Sequence, residues 1–411
     1  MRISLTGLAF AAALVLTSPA SAEMEIADPA SIGLDPVKLG EIRTALQRDI
    51  AEGRVPGAVM LISRKGKVGF FEAVGQQGPE DATPMSADTI FRIYSMTKPI
   101  VSVAAMSMVE DGLMGLDDPI AAYLPEFAHQ SVFQQAGESF MVKEDGSRPA
   151  KSQATIRDLL RHTSGQIYGV FDSGPLGQLY KDAGVASADI DLDVFSEKMA
   201  DLPLRFDPGT GWHYGRSTDV LGHVMEIAAG QPLDVILNQR VLDPLGMTDT
   251  AFYQDASEAG RIAQPVEPGL FDVTDAKPMM SAGGGLTSTV SDYMKFAMML
   301  RNRGSLNGER VISPMSLHEM TQNQIEGVDL RWYYPSRAYG FGLGFGVRLT
   351  EDGPYPGSVG DYFWRGYAGT YFWIDPAEDL FAIFMIQDPA NRLHYTGATR
   401  GWVYSALAGG S

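Results

Sequence analysis

The chain of 411 residues contains no cysteine. That absence excludes disulfide staples, a thiol nucleophile, cysteine-ligated zinc and a lipid-modified N-terminal cysteine. Basic residues are few beside acidic ones, 32 against 50, and the net charge of -18 makes nucleic acid an unsuitable partner because its phosphates would be repelled. Histidine is sparse, six in all, and none stands in a His-Glu-x-x-His arrangement. His318-Glu319 lacks a second histidine at the required spacing, so neither a metal centre nor a cofactor is expected. No Gly-x-Ser-x-Gly elbow occurs, which removes the usual sequence mark of a Ser-His-Asp triad. There is no internal repeat and no coiled-coil heptad pattern. Long hydrophobic runs are missing as well: the run from Leu8 to Leu16 falls far short of the ~20 apolar residues that span a bilayer.

That short run is still informative. Arg2 precedes it and Ala20-Ser21-Ala22 follows it, the layout of a secretory signal (residues 1–22) with small residues before the cut. Export to the periplasm or the medium is expected, with a mature chain starting at Glu23 and no stable membrane insertion. At 45% hydrophobic residues the chain has ample material for a core without covalent staples.

Asp35-Pro36 reads as an N-cap and a proline at the first helical position, with Leu39, Ile42, Leu46 and Ile50 at helical spacing and Gly53 as a stop. Ala58 to Ser63 and Val68 to Val74 are β-prone runs joined by Arg64-Lys65-Gly66-Lys67, a hairpin signal. From about 111 to 304 the pattern is helix and loop. Helices are predicted at Thr155 to Arg161, Val194 to Ala200, Ser217 to Ala229 with Gly230 as a stop, Pro232 to Val241, and Ser291 to Arg301. Two polar stretches, Gln134 to Gln153 and Phe171 to Ile190, read as long surface loops of the kind that form lids. Strands return at Gly340 to Leu349, Ser358 to Arg365, Thr370 to Ile374 and Leu380 to Gln387, and a helix from about Asn391 to Leu407 closes the chain. Strands at both ends with helices between predict an α+β fold. It would be one catalytic domain, residues 23–411, with an antiparallel sheet built from both chain ends, flanking helices, a mainly helical lobe at about 111–290, and the site at the seam.

Ser95-Met96-Thr97-Lys98 is the only Ser-x-x-Lys in the chain, and it opens the apolar segment from Ile100 to Val109. Residues three apart in a first turn share a face, so Ser95 and Lys98 point the same way. A serine hydroxyl needs a base within about 3 Å, and a lysine whose pKa is lowered by burial can serve. The helix N-terminus behind it favours an oxyanion. A helix cap beside a solvated lysine would show the same four residues, but the following helix is apolar almost all round and predicts burial. Pro99 fits the first turn, where its missing N–H costs nothing. Tyr214, in Trp212-His213-Tyr214-Gly215-Arg216-Ser217, sits at a helix entrance, where a packed tyrosine and a proton relay are both open readings. Phe363 to Thr370 ends one strand and begins the next, and glycine there permits close approach of a ligand or simply a turn.

The order of these blocks resembles the serine β-lactamase and penicillin-binding-protein superfamily, in particular its class C-like esterase branch, the family VIII carboxylesterases. Ser95-Met96-Thr97-Lys98-Pro99 is similar to the nucleophile motif, Leu159-Leu160-Arg161-His162-Thr163-Ser164-Gly165 to the Leu-Leu-x-His-Thr-Ser-Gly block, Trp212 to Gly222 to the tyrosine block, and Ser281 to Leu286 to the glycine-rich segment. Trp364-Arg365-Gly366 occupies the place of Lys-Thr-Gly. The resemblance implies an acyl-enzyme at Ser95, with Lys98 and Tyr214 as base and proton relay and the N–H groups of Ser95 and Tyr367 as oxyanion hole. Two departures stand out: Arg216 replaces the asparagine of Tyr-x-Asn, and Trp364 replaces the lysine. Both disfavour lactam hydrolysis, and the indole of Trp364 would narrow the acyl pocket toward short chains. Arg216 and Arg365 still offer charge to an anionic substrate. The expected function is hydrolysis of a small-molecule ester. The alternatives are a β-lactamase or D-alanyl-D-alanine carboxypeptidase, a transesterase, and a non-catalytic peptidoglycan-binding relative, which retention of Ser95, Lys98 and Tyr214 argues against. Nothing in the sequence fixes the oligomeric state.

Overall fold

The computed structural model describes residues 25–134, 147–333 and 336–407. The expected signal segment, and most of the loop expected at Gln134 to Gln153, lie outside the described residues. Seven strands form the main sheet: β1 (Gly57–Arg64), β2 (Lys67–Gly75), β3 (Tyr339–Phe341), β4 (Gly346–Arg348), β5 (Tyr362–Arg365), β6 (Tyr371–Asp375) and β7 (Leu380–Met385). Their spatial order is β2-β1-β7-β6-β5-β4-β3, antiparallel throughout. The fold is therefore α+β, and its sheet joins the two ends of the chain where β1 pairs with β7, from Val59 opposite Met385 to Arg64 opposite Leu380.

Local chemistry explains these elements. Lys65 and Gly66 both have positive φ, 53° and 73°, as a two-residue hairpin turn matched to the strand twist requires. Every residue of β6 and β7 is buried, so both faces of the sheet centre are covered. Helix Val290–Arg301 packs on β7 and β1, while α1 (Pro36–Ala51) packs on β2 and on the C-terminal helix Arg392–Ser405. The Asp35 carboxylate caps α1 by accepting from the Val37 N–H at 2.8 Å. α2 (Thr97–Glu110) is buried from Thr97 to Met108, as its all-round apolar pattern predicts. Between α2 and Val290 come α3 (Ile156–Leu160), α4 (Gly174–Asp182), α5 (Leu192–Asp201) and α6 (Ser217–Ala229), and residues such as Phe195 and Leu221 share one continuous apolar core with the sheet. Among the described residues no single helix is long and apolar enough to cross a membrane.

The structure differs from the sequence expectation in several places. Gly340 to Leu349 is a hairpin of two three-residue strands, β3 and β4, because the glycines between let the turn press onto α2 and its neighbours. A Cβ on Gly344 would lie 2.3 Å from Ser102 Oγ. The expected loop Phe171 to Ile190 contains α4, started by Pro175 and held by the buried Leu176 and Tyr180. Helix Pro314–Met320 was not anticipated, and Ser147–Pro149 pairs with Ser131–Phe133 as a small ribbon.

Candidate active site

The turn that carries Ser95, the expected nucleophile, is built from strained and pinned backbone. Tyr94 has φ +44°, unusual for a residue with a side chain, and opens the single 3₁₀ turn Tyr94–Met96 that leads into α2. Ile93, just before it, donates its N–H to Leu286 O at 3.1 Å and accepts from Thr370 Oγ1 at 3.2 Å. The end of β5 closes against the same point. A Cβ on Gly366 would sit 2.4 Å from Ile93 O and 2.2 Å from Thr370 Oγ1, so this approach requires glycine. In the turn that follows, Gly366 donates to Thr370 O and Gly369 to Gly366 O, and the Tyr367 N–H takes no part in these backbone bonds.

Lys98 sits one helical turn beyond Ser95 and is 1% exposed. Its ammonium donates to Ser95 Oγ at 3.3 Å, Tyr168 Oη at 2.9 Å and the Gly283 carbonyl at 2.5 Å. Three acceptors match the three donors of a charged lysine. Burial alone would lower its pKa, but Tyr168, Tyr214 and Asp219 together with the Tyr168 hydrogen bond outweigh it, and the pKa is raised. This direction, toward the ammonium form, is opposite to the lowering that burial alone would give. Its Nζ also lies 4.7 Å from the centroid of the Tyr214 ring. Burial pushes the Tyr214 phenol up to about 12, opposed by the Lys98 charge and by hydrogen bonds with Lys98 and Ser95. The indole N–H of Trp364 donates to Tyr214 Oη at 3.2 Å.

The sequence blocks meet around this centre. Thr155 and Asp158 form a capping box on α3, which sets up the bend in which His162 adopts φ +59°. His213 N donates to His162 O at 3.1 Å, and the hydroxyls of Ser164 and Ser217 bond at 2.9 Å, so the two blocks lie side by side. The His162 ring packs 4.7 Å from that of Tyr214, and burial, with Lys98 and His213 nearby, holds its pKa well below the usual histidine value, so it is neutral. Asp219 accepts from Gly283 N at 2.8 Å and Ser281 Oγ at 2.6 Å, fixing the carbonyl that receives the Lys98 proton.

The Beta-lactamase family model matches residues 42–403. The chain belongs to the β-lactamase family. It is 34% identical over 353 residues to Protein Rv1367c of Mycobacterium tuberculosis, covering 82% of this chain and 86% of that one. It is also 29% identical over 393 residues to Esterase EstB of Burkholderia gladioli, covering 87% and 93% respectively. Among solved structures, EstCE1, described as a hydrolase with promiscuous acyltransferase activity, superposes with a TM-score of 0.76 at 26% identity, covering 90% of this chain and 99% of its own. These likenesses make this member of the β-lactamase family a serine hydrolase of the esterase and acyltransferase type.

The structure brings Ser95, Lys98, Tyr214, Trp364 and Gly366 together around the nucleophile, with Tyr367 beside them. Trp364 is 1% exposed and turned to Tyr214, so its indole is spent mainly on packing and on the Tyr214 phenol. Arg216 is tied to Asp219 at 3.3 Å and lies 5.1 Å over the Tyr168 ring, while Arg365 is half-buried at the end of β5. Sequence reasoning missed Tyr168 and Asp219. Tyr168 stands three residues after Gly165 and Asp219 lies within the tyrosine block, five residues after Tyr214, and that proximity is the one signal for them.

Proposed function

We propose that the protein is an exported hydrolase of carboxylic esters that works through an acyl-Ser95 intermediate. The observation that carries this reading is the convergence on one hydroxyl: Lys98 Nζ lies 3.3 Å from Ser95 Oγ and 4.7 Å from the centroid of the Tyr214 ring, whose phenol Trp364 holds by its indole N–H. With Lys98 held toward its ammonium form, Tyr214, as phenolate, takes the role of base in this reading. The Lys98 charge and the Trp364 N–H stabilise that phenolate. Ser95 Oγ attacks the ester carbonyl, its proton passes to Tyr214 Oη, and the carbonyl oxygen takes negative charge facing the N–H groups of Ser95 and Tyr367. Tyr214 then returns the proton to the departing alkoxide, which leaves as the alcohol. Water, deprotonated by Tyr214 in the same way, releases the acid and restores Ser95. An alcohol in place of water gives acyl transfer, a variant that the description of EstCE1 supports.

Export rests on the signal-like N-terminus, and recovery of the protein only inside the cell would overturn it, while secreted protein that begins at Met1 would overturn cleavage after Ala22. Ester over lactam rests on Arg216 and Trp364, which stand where contacts to a lactam's amide and carboxylate would be and are instead committed to Asp219 and Tyr214. Losing one charge-assisted hydrogen bond at about 1.5 to 3 kcal/mol and one neutral one at about 0.5 to 1.5 kcal/mol lowers lactam kcat/KM by roughly 10 to 10³. The test is kcat/KM for p-nitrophenyl acetate, butyrate and decanoate beside nitrocefin. A nitrocefin value equal to that for butyrate would replace this reading with the β-lactamase alternative.

A further inference from the structure

Aromatic rings link the two sides of the nucleophile. The Tyr168 hydroxyl contacts Lys98, and its ring lies 5.4 Å from that of Phe171. Phe171 is 6.1 Å from Tyr367, and Tyr367 is 5.6 Å from Tyr94, the residue before Ser95. The chain of contacts runs from Tyr94 through Tyr367, Phe171 and Tyr168 to Lys98, and so returns to Ser95.

Two of these rings are open to solvent: Phe171 is 68% exposed and Tyr367 is 40% exposed. Exposed phenyl surface costs about 25 cal/mol per Å², and packing normally removes it. Of the three aromatic residues among the exposed large hydrophobics of the described residues, Phe171 and Tyr367 lie against each other, and the third, Tyr253, is in the loop after Thr250. Val170 extends the apolar surface. Guanidinium groups already cover part of the collar, Arg216 over Tyr168 at 5.1 Å and Arg392 over Tyr367 at 5.2 Å. Phe171 has no such cover among the described residues.

We propose that Phe171 and Tyr367 form an aryl subsite, so that the substrate is an ester carrying a flat aromatic ring close to its scissile carbonyl. The inference rests on the ester-hydrolase reading above and adds the substrate class. A ring entering the collar meets Phe171 in an offset or edge-on arrangement and removes its exposed face from water. Such ring pairs contribute about 0.5 to 1.5 kcal/mol beyond burial, which a saturated ring of the same size does not gain.

The test compares matched pairs. Methyl phenylacetate against methyl cyclohexylacetate places the ring on the acyl side, and benzyl acetate against cyclohexylmethyl acetate places it on the alcohol side. In one pair the aromatic ester is expected to exceed its saturated partner about two- to tenfold in kcat/KM, mostly through KM. Phe171→Ala and Phe171→Leu should both erase that preference, read as the ratio of aromatic to saturated ester within each variant. The pair that shows the effect identifies the side on which the ring enters. Ratios near one in both pairs, or a preference that survives in Phe171→Ala, overturn the aryl subsite while ethyl acetate turnover still upholds the ester reading. Loss of ethyl acetate turnover in the unaltered protein would instead overturn the ester reading beneath it.

Discussion

Three acceptors surround the Lys98 ammonium, and each fixes one of its protons: Ser95 Oγ, Tyr168 Oη and the Gly283 carbonyl. Replacing Lys98 with alanine leaves the Tyr214 phenol without the charge that opposes its burial, so its pKa should climb further above about 12. Lys98→Ala and Tyr214→Phe are each expected to lower kcat by roughly 10⁴-fold, measured with p-nitrophenyl butyrate, with circular dichroism unchanged. Because the resting Tyr214 is neutral and its pKa is raised, the active phenolate grows as pH rises. kcat/KM should therefore increase with unit slope from neutral into alkaline solution, and no inflection near pH 6.5 should come from His162, which is already neutral. Trp364→Phe removes one N–H from Tyr214 Oη, and should lower kcat/KM about three- to tenfold at neutral pH and move the rise to higher pH. At this scale helical spacing marks Ser95 and Lys98, whereas Tyr214 stands at a helix entrance that leaves two readings open and takes its expected role from the family resemblance alone. Tyr168 was not legible, because its bond to Lys98 spans 70 residues of sequence and leaves no spacing pattern.

The elements that carry the site differ in how plainly their sequences declare them. α2 has apolar residues on every side and α1 has an N-cap, a proline and a glycine stop, so both were readable from local chemistry. The β3–β4 hairpin and α4 were not, since glycines at 340, 342 and 344 and polar residues around 174–182 take their meaning from what packs against them. Gly366 shows the same dependence at the site. Gly366→Ala should push the end of β5 away from Ile93, because its Cβ has backbone on one side and Thr370 on the other. The expected outcome is a loss of about 10²-fold or more in kcat with the melting temperature only modestly lowered, since a displacement of about 1 Å at an oxyanion donor is enough. Unchanged kcat in that variant would remove Tyr367 from the oxyanion role.

Across the whole molecule, the pairing of β1 with β7 makes the sheet a product of both chain ends, and the helical segments between them share its core. That closure was visible in the sequence as strands at both termini, whereas the polar centre under the C-terminal helix was not. Asp361, fully buried, accepts from Arg348 Nε at 2.9 Å and from an Arg400 terminal nitrogen at 2.7 Å, and so holds the C-terminal helix to the strand edge. Asp361→Asn leaves two buried guanidinium groups without a carboxylate. It is expected to cost about 3 to 5 kcal/mol, read from the urea midpoint, with kcat of the folded fraction preserved. The claim on which everything else depends is that Ser95 becomes acylated. The most direct test is intact mass spectrometry of protein quenched during turnover of p-nitrophenyl butyrate, followed by peptide mapping. The account predicts a butyryl increment on the peptide that holds Ser95, and none in Ser95→Ala. A butyryl group on another residue, or turnover by Ser95→Ala at a tenth of the parent rate, would contradict it.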